Sequence, residues 1–424
     1  MLTTRQSLPL PLLPMHVTHL ESALDGTTLD ADQVQTTHRG RPLWVRYDLD
    51  AVDGAVSPSG FEDRPPSMWR YRELLPLAAD ADPVTLSEGM SPLVRCPRLG
   101  DRFGLDRLWI KDESQLPTGS FKSRGLAMAV SMARAFDVER VAIPTAGNAG
   151  GALAVYAARA DLEAYVFMPA DTPAVNQHEV MLAGAHAFLV DGLIDDCGAL
   201  VDAGTDAMGW LDVSTLQEPY RLEGKKTMGL ELFEQFGPAL PDVILYPTGG
   251  GTGLIGMWKA FDELARLGWI DPADRPRMVA VQSDGCCPIV NAYEAGDRFA
   301  DPVDDPETIA SGLRVPGAVG DFMILDAVRE SDGRAVAVDE SRIREWMRLA
   351  TSTTGVSVGP EAATCVGAAK RLADHGWLHP DDDVVIFNCG AAQKYPHLSD
   401  PNTLPRLDPD DAVDWNAVKA RETS

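Results

Sequence analysis

Pro117-Thr-Gly-Ser-Phe-Lys-Ser-Arg-Gly125 stands between an apolar run, Arg107-Leu-Trp-Ile-Lys111, and an unbroken series of helix formers over 126–135. A strand that leaves through a glycine-rich loop straight into a helix is the building unit of parallel sheets, because the chain must cross the sheet face before the next parallel strand. The unit recurs along the chain. Residues 141–144, 164–168, 187–190 and 210–213 read as short buried strands, each followed by a helical stretch. A second series covers 242–246, 278–282 and 383–387, with helices over 254–267, 340–351 and 362–373. The sequence therefore predicts an α/β fold of two lobes, each a mostly parallel sheet flanked by helices. At 424 residues the chain is too long for one ordinary core, and an active site fits where the lobes meet. The reading divides it into an extension over 1–85, rich in Pro and Asp with weak periodicity, a first lobe over 86–215, a second over 216–400, and a surface tail over 401–424.

Composition narrows the function. Lys and Arg number 37 against 63 Asp and Glu, a formal charge of −26, so the averaged field repels nucleic-acid backbones and anionic lipid. No apolar stretch approaches the roughly 18 residues needed to span a bilayer. The apolar start over 8–15 carries Pro9, Pro11 and Pro14 and lacks a basic leader, so a cytoplasmic location is expected. Six cysteines show neither Cys-x-x-Cys spacing nor a zinc-like pairing with histidines, so no metal is expected.

Three loops carry the chemistry. In the first, Lys122 opens a helix beside Arg124, a positive setting that lowers its pKa and favours a nucleophilic amine, though a solvated surface lysine also fits the nonapeptide. The second, Thr145-Ala-Gly-Asn-Ala-Gly150, joins a strand to a helix. Its exposed amides suit an anion such as a substrate carboxylate, while the Asn148 amide can bond a cofactor hydroxyl; an ordinary capped turn is the alternative. The third, Pro247-Thr-Gly-Gly-Gly-Thr-Gly253, has four glycines whose amides can close on a phosphate. Its rival reading is a dinucleotide fingerprint, Gly251-Thr-Gly-Leu-Ile-Gly256, whose expected acid falls late, at Asp284, and which leaves Lys122 without a task.

In this order the loops resemble those of fold type II pyridoxal-phosphate enzymes, the tryptophan synthase β-like group, and within it the threonine synthase family. Further similar segments are Ser67-Met-Trp-Arg-Tyr-Arg-Glu-Leu-Leu-Pro76, Glu88-Gly-Met-Ser-Pro-Leu93, Tyr220-Arg-Leu-Glu-Gly-Lys-Lys-Thr227, Ile309-Ala-Ser-Gly-Leu-Arg-Val-Pro316, Pro360-Glu-Ala-Ala-Thr364 and Phe387-Asn-Cys-Gly390. The resemblance implies pyridoxal 5′-phosphate as cofactor, held by Lys122 as a Schiff base. Asn148 would meet its ring hydroxyl, and Gly249, Gly250, Gly251, Thr252 and Gly253 its phosphate. Cys389 would meet its ring nitrogen, where a neutral partner softens electron withdrawal and favours elimination or replacement over transamination. On the substrate side it implies Thr145, Ala146, Gly147, Ser91 and Ser120, with Arg124 and Lys225 as cations for a phosphate; Arg221 and Lys226 are further cation candidates.

The implied reaction converts O-phosphohomoserine and water to threonine and phosphate, with Lys122 moving the protons. Three departures bear on it: Cys389, where synthases more often carry Thr or Ser and certain dehydratases carry Cys; Ser123, where many carry Asp; and Met90-Ser91 in place of a polar residue and Thr. They leave open an ammonia-lyase acting on threonine or serine. A dinucleotide-dependent oxidoreductase and a catalytically idle, cofactor-binding paralogue complete the alternatives, and the intact Lys122 speaks against the last. Small amino acids are the expected partners, with a homodimer considered as the assembly.

Overall fold

The computed structural model describes residues 16–399, 401–404, 406, 407 and 415. The apolar start over 8–15 and most of the tail over 401–424 lie outside the described residues.

Two parallel-dominated sheets flanked by helices form the body. In the larger, Val243–Pro247 lies centrally, parallel to Arg277–Ser283 on one side and Asp383–Asn388 on the other. Helices cover both faces of such a strand, which is why all five of its residues are buried and its sequence, VILYP, is apolar without alternation. Arg334–Val338 extends the sheet beyond Arg277–Ser283, and Arg107–Asp112 extends it beyond Asp383–Asn388 before Leu93–Arg95 closes that edge antiparallel. The smaller sheet is wholly parallel, in the order His186–Val190, Glu163–Pro169, Arg140–Pro144 and Leu211–Asp212.

One assignment from the sequence is corrected here. Arg107–Asp112 precedes the strands of the first lobe in the chain, yet it pairs within the sheet of the second. Leu108 and Ile110 pack in one core cluster with Val384 and Ile386. Chain order says nothing about which apolar face a strand shares, so the lobes interleave in sequence.

The extension has more structure than its weak periodicity suggests. Val17–Ser22 pairs antiparallel with both Thr28–Leu29 and Leu43–Tyr47, and the last buries Leu43, Val45 and Tyr47. Tyr47 fastens this sheet to the body by donating a hydrogen bond to Glu223 at 2.7 Å. Glu223 is also paired with the buried Lys226 and Lys259, at 2.7 and 2.6 Å, and both ammonium groups lie against the Tyr47 ring.

The helix Tyr220–Gln235 positions the site. It packs on the helix Lys122–Ala135 so closely that a Cβ on Gly224 would stand 2.2 Å from the Arg124 carbonyl oxygen, and one on Gly125 2.5 Å from the Lys225 amine. Glycine permits this backbone approach. It brings Arg221 and Lys225 beside the lysine loop.

Candidate active site

Lys122 is the first residue of its helix and reaches the site through a loop stitched to the turn after Asp383–Asn388. Phe121 N–H donates to the Cys389 carbonyl at 3.0 Å, Ala391 N–H donates to the Gly119 carbonyl at 3.1 Å, and Ser120 bridges Gly390. Gly119 adopts φ +65°, and the Lys394 side chain lies where its Cβ would be. These contacts set Lys122 and Cys389, 267 residues apart in sequence, on the wall of one cavity of about 490 Å³. Asn148, at the start of the helix Asn148–Ala160, and Gly249 to Gly253, leading into the helix Thr252–Arg266, complete that wall.

Burial lowers the Lys122 amine to about 8, and the charge of Arg221 adds to the effect. The sequence reading gave this electrostatic role to Arg124, which is a correction. Arg124 is fully buried with its guanidinium bound by Glu113 at 2.6 Å and Glu231 at 2.5 Å, so its charge is neutralised where it stands. A free amine is nucleophilic only when unprotonated. Cofactor capture by the apoprotein should therefore rise with pH about a midpoint near 8 rather than the roughly 10.4 of an ordinary lysine. Stopped-flow growth of the visible band across pH measures this, and a midpoint near 10 would contradict the burial argument.

Cys389 is buried in the wall, and desolvation pushes its thiol well above the ordinary range, so it is neutral at physiological pH. The glycine loop is shaped by exclusion. A Cβ on Gly249 would stand 2.4 Å from the Gly312 carbonyl, one on Gly250 2.7 Å from Thr215 and one on Gly253 1.9 Å from the Tyr246 hydroxyl, while Gly251 holds φ +74°. At these glycines only bare backbone fits, and the first amides of the following 15-residue helix lack intrahelical acceptors.

The remaining candidates from the sequence are placed differently. Gly147 lines the cavity, whereas Thr145 and Ala146 stand outside its lining. The Thr145 hydroxyl donates to the Gly147 carbonyl and accepts from its N–H, both at 3.1 Å, so it braces the loop. Ser91 is drawn into the buried ion cluster, donating to Glu113 at 2.5 Å. Ser120 is buried behind the loop, its hydroxyl without a partner among the described residues. Lys226 is held by Glu223 and Glu263. Lys225 lies 4.6 Å from the centre of the Phe121 ring, which Lys122 shares at 4.4 Å, and its amine has no hydrogen-bond acceptor among the described residues.

Two buried carboxylates, Glu361 and Glu218, escaped the sequence reading, whereas Arg221 was among its cation candidates. Glu361 lines the cavity, accepting from Tyr395 at 2.7 Å and from Gly312 N–H at 2.9 Å, so it fixes the wall over 311–317. Burial raises its carboxyl, and raises that of Glu218 to about 7 against the pull of Arg221. Glu361 follows Pro360 at a helix start, a signal visible in the sequence but uninformative without the contact. Arg221 donates to the Val213 carbonyl at 2.7 Å, while its Nε and Nη2 are buried with no partner among the described residues.

A known family pattern, described as pyridoxal-phosphate dependent enzyme, matches residues 84–390. Threonine synthase of Methanosarcina acetivorans is 35% identical over 85% of this chain and 87% of its own, and that of Methanocaldococcus jannaschii 33% identical over 88% and 91%. The chain belongs to the pyridoxal-phosphate-dependent enzymes of the threonine synthase family. Solved structures bear out the fold: diaminopropionate ammonia lyase of Escherichia coli superposes with a TM-score of 0.63 at 18% identity, over 74% of this chain and 88% of that one. Maize serine racemase does so with 0.60 at 22%, over 71% and 89%.

The residues present fit the cofactor of this family. A cavity of this size lies within the roughly 300–1,000 Å³ of small-molecule sites, and it combines a low-pKa amine, a neutral thiol and a glycine-rich backbone cup. The dinucleotide reading falls with the family assignment. Asp284, its expected acid, accepts from Glu340 N–H at 2.9 Å and lies outside the cavity lining.

Proposed function

We propose that this pyridoxal-phosphate-dependent lyase converts O-phosphohomoserine and water to threonine and inorganic phosphate. The reading is supported by an acid–base lysine on the cavity wall of a chain that is 35% and 33% identical to two threonine synthases.

Bound pyridoxal phosphate supplies an electron sink that acidifies protons near the amino group of a substrate. The cup over Gly249 to Gly253 would hold its phosphate, Asn148 its ring hydroxyl and Cys389 its ring nitrogen. Lys122 then works as the base at the α carbon and next at the β carbon, which a group titrating near 8 can do in both directions at physiological pH. The loop amides at Gly147 would orient the substrate carboxylate.

No helix among the described residues is long and apolar enough to cross a membrane. A cytoplasmic enzyme acting on a small amino acid, as a homodimer, agrees with the reading; Met181, Leu182 and Leu193 are exposed apolar side chains that a second copy could cover.

The rival, an ammonia-lyase, separates in one experiment. Given O-phosphohomoserine, the purified enzyme should release threonine and phosphate in equal amounts. Deamination of threonine or serine to a 2-oxo acid, with no threonine formed from the phosphorylated substrate, would overturn the proposal.

A further inference from the structure

Among the described residues lining the cavity, Lys122 and Arg314 are the two cations, against the carboxylates of Asp195, Asp202, Asp212 and Glu361. A phosphorylated amino acid entering this acidic cavity, in a chain of net charge −26, needs a positive partner near the mouth. Lys122 is committed to the cofactor. Arg124 and Lys226 are held in buried ion pairs, and Lys225 lies outside the lining.

Arg314 is built for that place. It follows the single turn Ser311–Leu313, which Glu361 pins through Gly312 N–H, and its own N–H donates to the Ser311 carbonyl at 3.2 Å. The backbone is thus fixed while the side chain remains 35% exposed. Its guanidinium stands 3.5 Å from Asp171, which is 64% exposed and follows Glu163–Pro169 of the smaller sheet, so the pair bridges the two sheets at the cavity. One long contact between exposed groups holds little and is readily exchanged. A phosphate presents two or three oxygens to the planar guanidinium fork and competes well against one distant carboxylate.

We propose that Arg314 is a specificity-determining residue: it leaves Asp171 to take the phosphate of the incoming substrate, and so selects phosphorylated amino acids. This rests on the function proposed above.

The test uses the holoenzyme, in which the cup is filled by the cofactor, and inorganic phosphate as the binding probe. In Arg314→Gln the KM for O-phosphohomoserine should rise about 10- to 100-fold with kcat changed by less than about 3-fold, the size of one lost charge-assisted contact made equally in ground and transition states. Calorimetric affinity for inorganic phosphate should fall in the same proportion, with the visible band unchanged. Asp171→Asn should tighten phosphate binding by about 2- to 5-fold, since a competing partner is removed. If the wild type forms threonine while Arg314→Gln keeps its KM and its phosphate affinity, this inference is wrong and the proposed function stands. A wild type that forms no threonine sinks the proposed function itself.

Discussion

Lys122→Ala is expected to yield a colourless enzyme whose turnover falls by at least about 10²–10⁴-fold, the loss usual for one acid–base group, and by more because the same amine anchors the cofactor. The cavity explains why no neighbour replaces it. Lys225, the nearest amine, shares the Phe121 ring yet lies outside the lining, and burial with the charges of Arg221 and Lys122 holds its pKa well below the ordinary range. Absorption spectra of the purified variant with added cofactor, together with threonine formation, make the measurement. A yellow, active Lys122→Ala would mean that another amine carries the chemistry. Addition of a small primary amine should restore part of the activity, since the cup and Asn148 are untouched.

Glu231→Ala is expected to destabilise the fold by about 3–5 kcal/mol, because removing one member of a buried ion cluster strands its partners. Glu231 accepts from the buried Arg124 at 2.5 and 2.8 Å and the buried Lys111 at 2.8 Å, and from Met90 N–H at 2.6 Å. Burial alone would raise this carboxyl, yet Arg124 and Lys111 bring it down to about 2. A depressed carboxyl pKa stabilises the fold fully above the unfolded value near 4.5, and that contribution fades as pH falls toward 2. In Glu231→Ala the loss should therefore be present at pH 7 and shrink in acid. Urea unfolding across pH reads both, and a loss below about 1 kcal/mol at pH 7 would show the cluster to be dispensable. Glu231→Gln keeps the hydrogen-bonding shape and should cost less.

How far the sequence could be read depended on whether the signal was local. Strands such as Val243–Pro247 are apolar because both faces are covered, and glycine loops must follow them where a helix begins at a binding site; both leave marks within ten residues. The same holds for Lys122, Asn148, the glycine cup and Cys389, each in a turn after a strand or at the start of the helix that follows. The lining they share is a property of the fold.

Cation roles were not local. Arg124, Arg221, Lys225 and Arg314 look alike in sequence, as charged residues near glycines. Tertiary packing sorts them: the carboxylates of Glu113 and Glu231 take up Arg124, Val213 holds one nitrogen of Arg221 while its Nε and Nη2 have no partner among the described residues, and the turn pinned by Glu361 delivers Arg314 to the cavity wall. The strand Arg107–Asp112 went to the larger sheet for a similar reason, since its apolar face matched Asp383–Asn388 across more than 270 residues. Sequence alone determined the α/β alternation, the glycine-rich loops at the strand ends and the family of this protein, because those are written in neighbouring residues. Which charges are spent inside the core and which remain for a ligand was decided only by the tertiary structure, because a charge is neutralised by partners that the fold, not the chain, makes adjacent.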